Sequence, residues 1–396
     1  MGFADLGIGL GLQNKISEAF GCDDLQGIRN LHASGRRLLG WLSLVLSAVV
    51  LPLCWILPWG QWLKVEAPDL RAQVPLALTI LAGGFACGLP FNTGVRLACG
   101  VQQGWLQGVW TAVGSLGSLM MVALASWFHW PFAAFIMATA SAPVLANLGA
   151  SKHVFRVLGD EFAQLHPHVQ RGLFLPLLRQ GLLFLLPQMS ATIMMGAPGL
   201  MIAGVLGPGS VAPFTLCQRL SGMLLLFQNM PFTALWPALT EARARGDYDW
   251  MLRSLRKSLR AGLISGVVLG TFFALGGHLL ILVWTQSSEA VPTLGTRLGF
   301  ALWTMLLAWV SAAGYFLNAC GRLRGLAIGG ALTAILTLLI IPPFALKFGV
   351  SGVIAAMLIA WCTLALPMAL WDFYKQYREL VAQNASAKAR MPQEAC

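Results

Sequence analysis

Long blocks of apolar residues limit what this chain can fold into more than any other feature. Blocks of about 20 apolar residues match a hydrocarbon core about 30 Å thick. In lipid the backbone must satisfy its own hydrogen bonds, so such blocks form helices or a closed barrel. The two-residue alternation of a barrel strand is missing. The sequence therefore predicts an all-α polytopic transmembrane protein, whose expected spans are 38–58, 74–95, 105–127, 131–149, 174–200, 209–236, 262–285, 298–318, 325–345 and 350–373.

The charged residues agree with this interpretation and orient the chain. Only 10% of the residues are charged, against about a quarter in soluble domains. Most of the 26 Lys and Arg residues fall in alternate connections, whereas the other connections hold only Lys64, Arg71, Arg297 and Lys347. The positive-inside rule places the basic set and the C-terminus in the cytoplasm. Topology thus accounts for the net charge of +11, and nucleic acid is not an expected partner.

Two stretches of the sequence repeat. Residues 98–108 and 319–329 both read A-C-G-x-x-x-G-x-x-x-G at an offset of 221. Glycines four residues apart form a smooth helix face on which a neighbouring helix can pack closely. The repeat predicts two pseudo-symmetric, parallel bundles related by an axis along the membrane normal. The glycines expected to pack are Gly100, Gly104, Gly108, Gly321, Gly325 and Gly329.

A second pair of segments supports the repeat. Glu18-Ala19 precedes the loop 22–37, and Glu241-Ala242 precedes the loop 247–260. In each loop an acid can cap a short helix, Asp23 or Asp24 in one and Asp247 or Asp249 in the other. The expected domains are an N-terminal bundle over 1–149, a cytoplasmic linker over 150–172, a C-terminal six-helix bundle over 173–375 and a cytoplasmic tail over 376–396.

The repeat also predicts a missing start. The second half opens with the spans 174–200 and 209–236, whereas the first has only the tail of a matching hairpin in residues 1–16. We therefore expect about 48 residues of the ancestral fold, one helix and part of another, to lie upstream of Met1. The first bundle would then lack about one and a half helices.

Several motifs resemble those of a known family. They are Ala4–Gly9, Ile16–Gly21, Leu206–Pro208, Gln218–Leu220 and, most characteristically, Trp236–Asp247. In order and spacing they resemble the O-antigen and polysaccharide flippases of the multidrug/oligosaccharidyl-lipid/polysaccharide exporter superfamily. The resemblance implies two helical bundles with a cleft between them. It also implies flipping of an undecaprenyl-diphosphate-linked oligosaccharide across the bacterial inner membrane, with lipids and other polysaccharide-assembly proteins as partners.

Polar residues inside the spans are the candidate substrate-binding residues, because charges there are costly. Arg96, Arg179 and Arg219 offer planar guanidinium groups that match a diphosphate. The alternative for each arginine is snorkelling to the head groups. Neutral amides could bind sugar, or could form hydrogen bonds between helices. They are Asn92, Gln188, Gln218, Gln228, Asn229 and Asn318.

Other chemistry is not indicated. His166-Pro167-His168 makes a poor metal site and fits a solvated linker better. No Walker-type loop is present, and neither a metal nor a cofactor is expected. The eight cysteines suit packing rather than ligation.

Two competing functions remain open. A cation-coupled multidrug exporter would be expected to have an acid within a span, and none lies in the middle of a complete one. A membrane oligosaccharide polymerase or ligase would be expected to have a large outer loop, but the outer connections near 59–73 and 286–297 are short. Transport is therefore preferred to catalysis, and the chain is not expected to be an enzyme.

Overall fold

A computed structural model describes residues 5–62, 68–287, 291–322 and 324–394, without the side chains of 160, 161, 163, 208 and 387–394. Within these ranges the chain is helical and contains no strand. The helices are α1 (Ile8–Gly21), α2 (Leu25–Ile56), α3 (Trp59–Trp62), α4 (Pro68–Gly100), α5 (Gly104–Trp127), α6 (Phe132–Val157), α7 (Gly159–Gln164), α8 (Phe174–Val205), α9 (Val211–Ala244), α10 (Tyr248–Thr285), α11 (Leu294–Ala319), α12 (Arg324–Ala360) and α13 (Leu366–Glu394).

The chain divides into two compact units, Met1–Leu182 and Leu183–Cys396, with the division inside α8. In the first unit α4 is the central helix, because it packs against α1, α2, α5 and α6. In the second unit α11 has that place and packs against α9, α10, α12 and α13. Each centre is apolar and closely packed, with Leu12, Ile16 and Leu97 buried in the first unit and Phe214, Phe273 and Phe300 in the second. The units thus share one order of packing.

Three turns recur in the same order in both units, each with a residue of positive φ. Asp23 and Gly246 end the first helix of each pattern, Gln102 and Gly321 follow the central helix, and His129 and Gly349 come one helix later. Residues with left-handed φ commonly terminate helices, since the reversed backbone lets the next N–H groups bond back to the last turn. Their agreement in order supports the predicted repeat.

The turns correct the register of the repeat. The bond from Gln103 N to Ala98 O (2.7 Å) matches the bond from Arg322 N to Leu317 O (3.1 Å), which is an offset of 219 rather than 221. Gly321, with φ of 68°, therefore corresponds to Gln102 and not to Gly100. It is a turn residue, for which glycine relieves the strain of a left-handed backbone.

The predicted glycine face is present only in part. A Cβ added to Gly100 would lie 2.5 Å from Ile16 Cγ2, and one added to Gly329 would lie 3.3 Å from Met368 Cβ. Gly325 is in similarly close contact with Asp372, which also accepts a hydrogen bond from its backbone N–H. At Gly104 and Gly108 an added Cβ would meet no atom of the described residues within 4 Å. Thus only three of the six predicted glycines are in close contact with a neighbouring helix of the described structure.

Eight helices of the described residues are long and apolar enough to cross a membrane, so the chain is a multi-pass membrane protein. The ten expected spans differ for two reasons. One continuous stretch from Arg324 to Ser386 contains two of them, separated where Gly349 leaves helical geometry. The helix α9 is not among the eight, and its sequence is interrupted by polar residues such as Gln218 and Gln228.

The region 150–172, expected to be a linker, consists largely of helix and of an extended segment bound to the first unit. Helix α6 continues to Val157, and α7 covers Gly159–Gln164. An extended segment then runs from Leu165 to Gln170 and is hydrogen bonded to α2. We call residues 165–170 the strap. Polar side chains of α2 thus hold the backbone of this linker against the helix.

Candidate functional site

The predicted arginines lie in three different environments. In the first unit, Arg96 is on α4 beside the start of α1. A Cβ added to Gly9 would lie 2.6 Å from Asp5 Oδ2 and 3.0 Å from Arg96 Nε, so the two charged groups flank the same glycine. Arg96 Nη1 also lies 3.5 Å from Gln13 Oε1, at the limit of a hydrogen bond. Arg96 is therefore part of a half-buried polar cluster.

Asp5 is the only buried acid among the described side chains, and it is used to start α1. Its carboxylate accepts the backbone N–H groups of Gly7 at 3.0 Å and Gly9 at 3.2 Å. A carboxylate at a helix N-terminus satisfies donors that have no partner within the helix and opposes the helix dipole. The buried Arg96 Nε, in contrast, has no hydrogen-bond partner in the described structure. The cluster retains capacity to bind an additional acceptor.

Arg219 lies on α9 in the second unit, two turns from the start of that helix. Its side chain is exposed, and no described residue forms an ion pair or hydrogen bond with it. The same helix carries two buried polar atoms without partners in the described structure, Gln218 Nε2 and Asn229 Oδ1. Helix α9 therefore has unused hydrogen-bonding capacity next to an unpaired cation.

The remaining predicted residues are more ordinary. Arg179 is exposed on the part of α8 that belongs to the first unit, so it lies in a different unit from Arg219. Gln188 Nε2 donates to Phe184 O of its own helix at 3.1 Å. Gln228 Nε2 donates to Ala308 O on α11 at 3.1 Å, which is the interhelical bond considered as its alternative. Asn92 is half-buried on α4.

One cationic cavity was not predicted as a site. It has a volume of about 670 Å³ in the first unit and is lined by Arg29, Arg36 and Arg37 together with His32 and Phe155. These arginines fall in the segment 22–37, which the sequence predicts to be a loop, and there they bear only on the topology. Arg36 and Arg37 follow Arg29 by seven and eight residues. In a helix this spacing places all three on one face.

A family model described as "Polysaccharide biosynthesis protein" matches residues 3–243. The chain belongs to this family. The match includes α1 with Asp5, the first unit from residue 3 onwards, and the part of α9 that carries Arg219. No match is found among curated protein sequences.

Solved structures with similar folds are transporters. A MATE protein crystallised in the bent conformation has a TM-score of 0.79 at 15% identity, over 97% of this chain and 85% of that chain. A MOP superfamily transporter from Pyrococcus furiosus has a TM-score of 0.73 at 14% identity, over 96% and 85%. An outward-facing multidrug resistance MATE family transporter has a TM-score of 0.75 at 15% identity, over 96% and 85%. At these identities the likeness establishes the fold of this polysaccharide biosynthesis protein.

The charges of this family member fall into two classes. Nearly all described acids lie at helix ends or beside a base, as Asp24 and Asp247 do at the starts of α2 and α10. Glu379 accepts two hydrogen bonds from Arg322 at 2.7 and 2.8 Å. Arg219, Arg179 and the cationic cavity have no such acid among the described side chains. The positions left open for a charged ligand are thus cationic.

Proposed function

We propose that this protein is a flippase that moves a polyprenyl-diphosphate-linked oligosaccharide across the bacterial inner membrane by alternating access. The family places the chain in polysaccharide biosynthesis, and the fold is that of membrane transporters. The observation that carries the choice of substrate is the unpaired, exposed Arg219 within α9. In a polyprenyl-diphosphate-linked oligosaccharide, the diphosphate supplies negative charge for the arginine. The attached sugar supplies hydroxyl groups for the neutral polar residues.

Arg219 lies in the span expected over 209–236, and a position within a span would require its guanidinium to face water. A guanidinium exposed to lipid within a span costs several kcal/mol, whereas a water-filled cavity removes most of that cost. An anionic ligand lowers the cost further, because a planar guanidinium can donate two parallel hydrogen bonds to one phosphate. Gln218 and Asn229 on the same helix supply neutral groups suited to sugar hydroxyls.

A cation-coupled multidrug exporter is the second candidate, because its fold is similar and because Asp5 is a buried acid. A cation bound to this carboxylate would compete with groups that already contact it. Both oxygens of Asp5 already accept backbone N–H groups, and Arg96 lies beside it. These contacts favour the flippase.

Complementation of a bacterial strain that lacks its own polysaccharide flippase tests the proposal, with surface polysaccharide as the measurement. The wild-type chain should restore it, and Arg219→Ala should reduce it about tenfold or more, the loss expected for one charged hydrogen-bonding partner. Arg219→Lys keeps the charge but lacks the planar guanidinium, so its surface polysaccharide should lie between the levels of the wild type and Arg219→Ala. Arg256→Ala, which removes an exposed arginine of α10, is the matched control.

Membrane abundance of each variant must be measured alongside. Full polysaccharide with Arg219→Ala at equal abundance would show that the arginine does not contact the substrate. Efflux of ethidium without restored polysaccharide would favour the exporter instead.

A further inference from the structure

The cationic cavity of the first unit is built from two layers. Helix α2 supplies Arg29, Arg36 and Arg37 from one face, and the strap covers them with Pro167 and Val169. A second cavity of about 190 Å³ adjoins it, shares Arg36, and adds Lys152 from α6. No acid is among the residues that line either cavity in the described structure. Four cations thus line two cavities that have Arg36 in common.

Aromatic rings orient two of these arginines. The guanidinium carbon of Arg29 lies 4.6 Å from the ring centre of Phe155, and that of Arg36 lies 5.5 Å from the ring centre of Phe91. A guanidinium stacked on a ring keeps the N–H donors at its edge available. Arg29 uses Nε for a 3.4 Å bond to Leu165 O. Most of the donors therefore point to no described acceptor and can bind a ligand.

The strap is held independently of any ligand. Gln26 Nε2 donates to His166 O at 2.9 Å, Asn30 Oδ1 accepts from His168 N at 2.8 Å, and Ser34 Oγ accepts from Gln170 N at 3.0 Å. Pro167 and Val169 alternate with the three hydrogen-bonded strap residues, and they line the cavity. The cavity wall is therefore preorganised.

We propose that this cavity binds a phosphate group carried on a lipid. Like charges collected at one place repel each other, and a polyanionic ligand offsets that repulsion. A volume of about 670 Å³ is in the range of small-molecule sites and accommodates a lipid head group or a diphosphate. The basic connections predict a cytoplasmic location, where anionic lipids are enriched. The phosphate belongs to an acidic phospholipid or, if the proposed function holds, to the polyprenyl diphosphate.

Thermal unfolding of the purified full-length chain in detergent distinguishes these sources. The probes are phosphatidylglycerol, phosphatidylcholine as the zwitterionic reference, inorganic pyrophosphate and undecaprenyl diphosphate. A ligand that binds the folded state raises the midpoint, and its concentration dependence gives an apparent affinity. Stabilisation by phosphatidylglycerol alone identifies a phospholipid head group. Stabilisation by the two diphosphates alone identifies the carrier, and stabilisation by both classes identifies the shared phosphate.

A pair of double variants localises the effect. Arg36→Gln with Arg37→Gln should weaken the apparent affinity about tenfold or more. Arg256→Gln with Lys257→Gln removes the same charge from exposed positions on α10 and should leave the affinity unchanged. If the glutamine variant does not fold, Arg36→Lys with Arg37→Lys should still bind more weakly than wild type, because lysine lacks the fork.

Two results would overturn the proposal. One is an equal loss of affinity in both double variants, which would indicate a general effect of net charge. The other is a wild-type midpoint that no phosphate probe raises above the level with phosphatidylcholine. Neither result depends on surface polysaccharide, so the cavity and the proposed function fail separately.

Discussion

Asp24 and Asp247 hold the same position in the two units, each immediately before a long helix. The carboxylate of Asp24 accepts the backbone N–H of Gly27 at 2.7 Å, and that of Asp247 accepts the N–H of Trp250 at 3.0 Å. The preceding turns also match, since the N–H of each aspartate bonds to Ala19 O or Ala242 O. The sequence predicted an acidic cap at both places but on short helices. The caps instead start α2 and α10, of 32 and 38 residues.

Removing one cap should weaken the helix start that it satisfies. We expect Asp247→Ala to destabilise the protein by about 0.5–2 kcal/mol, because the Trp250 N–H loses its partner. Asp247→Asn should retain most of the stability, since asparagine also caps well. Unfolding by denaturant in detergent provides the measurement. Asp69→Ala, an exposed acid in the first turn of α4, is the control, and an equal loss there would argue against a specific capping role.

Two glycines of one motif should respond oppositely to the same substitution. Gly100→Ala brings a methyl group to 2.5 Å from Ile16 Cγ2 and 3.3 Å from Gln13 O, so α1 and α4 must separate. We expect a loss of about 1–3 kcal/mol, typical of overpacking. Gly108→Ala meets open space within a helix and should be neutral or stabilising by up to about 1 kcal/mol. Comparable destabilisation of both in thermal unfolding would contradict the packing described.

The thiol of Cys320 should be inert in the folded protein. Burial raises the pKa of Cys320 to about 12, so the thiol stays protonated at neutral pH. In a variant with Cys320 as its only cysteine, a permeant maleimide should label the chain only after denaturation. Because the unfolded thiol ionises at its ordinary pKa, the contribution of Cys320 to stability should fall as the pH rises from there towards about 12. Rapid labelling of the native protein at pH 7.5 would contradict this burial.

The predicted orientation can be tested with the exposed Cys22, which follows α1. In a variant that keeps only Cys22, an impermeant maleimide should label permeabilised cells but not intact ones. The comparison is Gln61→Cys in a cysteine-free background, because Gln61 is exposed in a connection expected to be outside. It should be labelled in intact cells. The reverse pattern would invert the topology inferred from the basic residues.

The apolar pattern predicted the membrane helices better than their ends. The segment 22–37 was expected to be a loop because it contains several charges, yet α2 begins at Leu25. Hydropathy identifies only the part of a helix that lies in lipid, and a helix can continue into water with a polar face. The break at Gly349 was predicted correctly as a boundary between spans, since the apolar pattern pauses there.

The candidate site was less predictable for a different reason. Arg219 could be selected from its own helix, because a charge within a span is conspicuous locally. The cationic cavity requires α2 to be helical, so that Arg29 and Arg36 share a face, and requires the strap from more than a hundred residues away to cover them. Single-sequence patterns contain no information about such distant pairs.

The strap also shows how a helix and an extended chain can be matched in length. Gln26, Asn30 and Ser34 are one helical turn apart, about 6.0 Å for each step of four residues. Two residues of extended chain advance about 6.6 Å. The helical and the extended spacing differ by about 0.6 Å for each hydrogen bond between strap and helix. The match can therefore be maintained over only a few such bonds. A single-residue insertion in the strap would turn its cavity-lining residues towards α2, so its length should tolerate change far less than a surface connection does.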